Sequence, residues 1–164
     1  MVSQGEPLHN IEIRKMIVAD VPVVTALDRA EDPEPWTEDI FRRELQLPLS
    51  YTLLAVDTRE QVERVAGFIT YWMAADEVQL HKIVVSRPLQ RCGVARRLLR
   101  EMTEQALARN LTRVTLEVRR SNEAALALYK KFGYLVVAVR KGYYDEVGED
   151  ALIMSAELRP GAGD

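Results

Sequence analysis

VVSRPLQRCGVARRLLREM, residues 84–102, passes from a β-branched pair into a helical repeat, with Gln90–Ala95 as the turn between them. Val94, Leu98, Met102 and Ala106 recur every four residues with Leu99 alongside, which predicts a long amphipathic helix. The turn sets the small residues Gly93 and Ala95 among Arg91, Arg96 and Arg97. The first N–H groups of a helix have no partner inside it, and the helix dipole adds partial positive charge there. Strand, glycine turn and helix start therefore make an anion site, and small residues let a bulky anion reach the backbone. The spacing Q-x-x-G-x-A lacks the Gly-Lys-Ser/Thr of a Walker loop and the G-x-G-x-x-G of a dinucleotide fold. A plain turn with solvated arginines fits the same spacing equally well.

Upstream, Ile11–Met16 alternates as a strand. Asp20 is expected to cap a helix with Pro22 in its first turn, ending near Glu31. Thr37 is a second N-cap, with Glu38 and Asp39 where the dipole favours them, for a helix reaching about Gln46. Tyr51–Asp57 and Val65–Met73 are apolar runs of strand length joined by the polar segment 58–64. Val78–Val85 is a further strand whose parity breaks: Val78 and Leu80 share one phase, Ile83 and Val85 the other. One extra residue near Lys82, a β-bulge, would reconcile them. Downstream come a strand at Arg113–Val118, then a helix with Ala125, Leu128, Tyr129 and Phe132 on one stripe, ended by Gly133. Leu135–Arg140 and Ala151–Ala156 are the last two strands. The elements predict an α/β (α+β) domain built on a mixed sheet.

At 164 residues, 48% apolar and 29% charged, the chain reads as one globular domain. The expected organisation is a disordered lead over 1–10, a domain over 11–157 and a flexible tail over 158–164. The net charge of −3 argues against nucleic acid as the main partner and mildly favours a basic one. Cys92 is the single cysteine, so no internal disulfide can form and a cytoplasmic location is expected. Apolar runs such as Tyr134–Val139 are far too short to span a bilayer, so no membrane partner is expected, and the N-terminus lacks the basic flank and apolar stretch of a signal peptide. With His9 and His81 as the only histidines and no cysteine cluster, no metal site is expected.

Four blocks carry a resemblance. DEVQLHKIVVSRPLQRCGVARRLL (76–99), LEVRRSNEAALALYKKFGY (116–134), RKGYYDEVGEDALIM (140–154) and PWTEDIFRREL (35–45) resemble, in order, the bacterial ribosomal-protein-alanine N-acetyltransferases of the RimI type. These are members of the GNAT superfamily, and the similarity runs over residues 11–157. It implies a mixed, mostly antiparallel seven-stranded sheet with about four helices, whose fourth and fifth strands splay to admit acetyl-coenzyme A. It implies acetyl transfer, directly within a ternary complex, to the N-terminal amine of a protein, with the alanine of ribosomal protein S18 as best acceptor. The partner would thus be the N-terminal peptide of a basic ribosomal protein.

The resemblance also implies roles. Backbone amides of Arg91, Cys92, Gly93, Val94, Ala95 and Arg96 would hold the pyrophosphate. Ile83, Val84 and Val85 would lie along the acetyl group, with a bulge N–H on the thioester carbonyl. Asn122, by pattern an N-cap, would also contact the cofactor. Glu117 reads by alternation as a solvated strand carboxylate, and Tyr129 as a core tyrosine. The family places its general base and its general acid at these positions. Cys92 at a helix N-terminus suggests a nucleophile, but no histidine base lies nearby in sequence. Tyr143, Tyr144 and Trp36 would flank the peptide. Lys82 departs from the family, which commonly has asparagine there. Two other functions fit the same residues: acetylation of a small-molecule amine or lysine, and a non-catalytic acyl-coenzyme-A sensor or partner subunit.

Overall fold

A computed structural model describes residues 10–144 and 148–161, with the side chains of Tyr143 and Tyr144 outside the description. The described elements are β1 (Ile11–Lys15), α1 (Val21–Glu31), α2 (Glu38–Gln46), β2 (Ser50–Asp57), β3 (Arg64–Met73) and β4 (Val78–Val85), then α3 (Val94–Ala108), β5 (Arg113–Arg119), α4 (Glu123–Lys131), β6 (Leu135–Tyr144) and β7 (Glu149–Glu157). The strands form one sheet in the order β1-β2-β3-β4-β5-β7-β6. All neighbours run antiparallel except β4 and β5. That parallel pair is joined only at Val78–Val114 and Gln79–Thr115, beyond which the two strands part. The sheet thus opens where the resemblance implies a splay.

The expected bulge is present. Thr70 faces Lys82 while Tyr71 faces Leu80, so His81 is the extra residue on β4. It reverses the side-chain alternation. Val78 and Leu80 before it, and Ile83 and Val85 after it, therefore join one core cluster with Leu98, Met102 and Tyr129 beneath α3 and α4. Val84 joins the other cluster, with Val21, Val24, Phe41 and Phe68 beneath α1 and α2. The helices thus cover both faces of the sheet, each over its own core.

Two local expectations change. Asp20 occupies the N-cap position of α1, but its side chain makes no capping hydrogen bond. It sits in a short 3-10 turn, Val18–Asp20, in helical conformation, so its carboxylate folds back and accepts from the Ile17 N–H at 2.8 Å. Arg14 donates to both of its oxygens at 2.8 Å. Leu158 is not loose: it is buried, and its N–H donates to Thr112 O at 2.8 Å. Thr37 caps α2 as expected, accepting from the Ile40 N–H.

Candidate active site

The turn before α3 has the backbone its glycine predicts. Gly93 is the N-cap at φ 89°, Arg91 also has positive φ at 64°, and among the described residues no side chain caps the helix. The first amide to bond back along the helix is that of Arg97, to Gly93 O at 3.1 Å. The amides of Gly93, Val94, Ala95 and Arg96 precede it. Cys92 differs from its neighbours, because its N–H already donates to Leu89 O at 3.3 Å. The amides available to an anion therefore begin at Gly93. The helix start lies close over the sheet: a Cβ on Gly67 of β3 would come within 2.7 Å of Val84 O and 3.3 Å of a Val94 methyl. Beside α3 lies a recess of about 210 Å³ whose lining includes Arg96, Arg100, Lys131 and Phe132.

Tyr129 and Glu117 lie on opposite faces of the sheet. Tyr129 is buried in the cluster under α3 and α4, beside the Tyr134 ring at 5.6 Å. Burial, and then the Asp32 carboxylate, push its phenol pKa well above the ordinary value. On β5, Val114, Leu116 and Val118 are buried in that same cluster, while Glu117 alternates to the other face. Its carboxylate pairs with Arg140 of β6 at 3.1 Å. Asn122 caps α4, accepting from the Ala125 N–H at 3.1 Å. Tyr143 and Tyr144 lie at the end of β6, with Asp145–Val147 outside the described residues.

Lys82, turned by the bulge toward α1, is only 7% exposed. Its ammonium donates to both oxygens of the fully buried Asp28, to Asp32 and to Glu34 O. Burial raises the Asp28 pKa, opposed by Lys82 and by the Trp36 N–H. The Trp36 ring packs on Phe41 at 5.4 Å and lies beneath the Lys82 ammonium at 4.9 Å. Trp36 is thus half-buried in the wall of this face.

A family model described as the acetyltransferase (GNAT) family matches residues 21–134. The chain belongs to this family. It is 32% identical to the ribosomal protein bS18-alanine N-acetyltransferase of Salmonella typhimurium, over 85% of this chain and 92% of that protein. It is 30% identical to the enzyme of the same name from Escherichia coli, over 89% and 97%. The crystal structure of the Escherichia coli ribosomal-protein-S18-alanine N-acetyltransferase superposes with a TM-score of 0.77 at 28% identity, covering 90% of this chain and 94% of that one. Ard1 from Thermoplasma volcanium shares the fold, with a TM-score of 0.79 at 23% identity over 92% and 99%.

This acetyltransferase therefore has the seven-stranded fold of its family, opened between β4 and β5. Five charged residues in these contacts carry no motif that singles them out in the sequence: Asp28, Asp32, Glu34, Arg119 and Arg140. One of them carried a signal. Asp28 follows Val21, Val24 and Thr25 on the buried stripe of α1, and an aspartate in such a stripe requires a partner. The others lie on polar positions that mark no site. Among the described residues no helix is long and apolar enough to cross a membrane.

Proposed function

We propose that this acetyltransferase moves an acetyl group from acetyl-coenzyme A to the N-terminal α-amine of a protein, with the alanine of ribosomal protein bS18 as the preferred acceptor. The observation that carries the reading is the opening between β4 and β5, with a buried phenol on one face and an exposed carboxylate on the other. Donor and acceptor would then meet through the sheet. The activity for which the Salmonella typhimurium and Escherichia coli relatives are named supports the choice of acceptor.

On the α3 face, the amides of Gly93–Arg96 would hold the donor's pyrophosphate. Arg91 and the cationic recess of Arg96, Arg100 and Lys131 would add charge, and Asn122 would touch the donor while capping α4. Ile83–Val85 would lie along the acetyl group. A backbone N–H of the bulged strand would stabilise the oxyanion of the tetrahedral intermediate. An α-amine has a pKa of about 7.7–8.0, so part of it is protonated at neutral pH and cannot attack. Glu117 would accept that proton, directly or through a water. The amine nitrogen then bonds to the thioester carbon, the carbon–sulfur bond breaks, and Tyr129 donates its proton to the departing sulfur. The raised pKa keeps the phenol protonated across the working range, so the proton is in place when the thiolate departs.

Trp36 would flank the peptide on the α1–α2 face, and Tyr143 and Tyr144, at the end of β6, are proposed as its further neighbours. The carboxylates of that face, together with the net charge of −3, suit the N-terminus of a basic protein. Such an acceptor and the single cysteine both favour a cytoplasmic location. Mixing the protein with acetyl-coenzyme A and a peptide beginning with alanine should release free thiol. Polyamines and an Nα-blocked, lysine-bearing peptide are the controls. Release with the controls and none with the free N-terminus would reject the reading.

A further inference from the structure

The connection between α1 and α2, residues 32–37, is gripped from both sides of the opening. From β4, the Lys82 ammonium lies 2.9 and 3.0 Å from the two Asp28 oxygens, 3.0 Å from Asp32 Oδ2 and 3.0 Å from Glu34 O. Asp28 Oδ2 in turn accepts the Trp36 N–H at 2.8 Å. From β5, Arg119 pairs with Glu34 and, at 3.7 Å, with Glu149 of β7. Both cations lie beyond Gln79–Thr115, the last point where β4 and β5 pair. One short loop is therefore tied to each of two strands that have separated from one another.

Burying an ammonium and a carboxylate carries a desolvation cost that their attraction must offset, and well-packed apolar residues of similar volume often hold a loop as firmly. What the ions add is direction. An ammonium has three donors, and here they are spent on Asp28, Asp32 and Glu34. Residues 32, 34 and 36 are thus fixed relative to the strand that carries the bulge. One lysine against Asp28 and Asp32 also leaves net negative charge beside the opening.

We propose that Lys82 and Arg119 are positioning residues for the acceptor. They strap residues 32–36 across the mouth of the opening, so that Asp32 and Trp36 form the wall that meets a cationic peptide N-terminus. This rests on the N-terminal acetyltransferase reading above.

The test uses two variants. Arg119→Gln releases the grip from β5. Lys82→Met combined with Asp28→Asn releases the grip from β4 and removes both members of the fully buried pair, leaving the partly exposed Asp32 to solvent. In both, KM for an alanine-terminated peptide should rise about tenfold while KM for acetyl-coenzyme A stays within about twofold. In a Trp72→Phe background Trp36 is the single tryptophan, and acrylamide should quench it more readily in both variants. The parent is measured first, so an inactive parent rejects the N-terminal reading itself. An active parent whose variants keep the parental peptide KM overturns the strap, whatever Trp36 does. An equal rise in both KM values also overturns it, because that marks a general loosening.

Discussion

Tyr129 and Glu117 owe their proposed roles to opposite surroundings. The phenol is buried among apolar side chains, and the carboxylate is partly exposed with Arg140 at 3.1 Å. Removing the Tyr129 hydroxyl leaves the ring and its packing intact. Tyr129→Phe should therefore lower kcat by about a hundredfold, the lower range for a lost proton donor, with donor affinity within about twofold. The same burial predicts a pH profile. Because the phenol pKa is raised, kcat/KM should climb as the substrate amine deprotonates near about pH 8 and show no fall before about pH 10. A stopped thiol-release assay across that range reads both. The face that Glu117 occupies was legible from alternation, and Tyr129 from its stripe. Their partners were not. Arg140 belongs to β6, which meets β5 only across β7, and no local pattern encodes that reach.

The elements themselves were readable because each rests on local physics. Period-four apolar spacing marked α3, Thr37 marked the start of α2, and a parity break marked the bulge in β4. Asp20 misled because cap chemistry in sequence does not reveal that a 3-10 turn will fold the side chain back onto Ile17. Close packing of elements was also hidden. Gly67 reads as an ordinary strand glycine, yet its missing Cβ lets β3, β4 and the start of α3 come together. Gly67→Ala should cost about 1–3 kcal/mol of stability, because the added carbon meets the Val84 backbone carbonyl rather than a flexible side chain. A denaturant midpoint measured beside the parent checks this, and an unchanged midpoint would mean that the strands can shift freely.

For the whole molecule, long-range pairing is what the sequence withheld: the insertion of β7 between β5 and β6, and the buried grip of β4 on the loop after α1. The same long-range view sets the response to acid. Arg14, by hydrogen bonding, holds the Asp20 carboxyl below its ordinary pKa and joins β1 to the turn before α1. A depressed carboxyl stabilises the fold above its unfolded pKa, and that contribution is lost as pH falls through the folded value. Arg14→Gln should therefore lower the melting temperature at pH 7, and the gap to the parent should close below about pH 4. A gap of constant size would show that Arg14 acts through packing alone. The function turns on where the acetyl group goes. Incubate the protein with acetyl-coenzyme A and a peptide bearing both an N-terminal alanine and an internal lysine, then locate the acetyl group by tandem mass spectrometry. Acetylation of the alanine α-amine with the lysine untouched is the predicted result; acetyl on the lysine side chain alone, or none on the peptide, contradicts it.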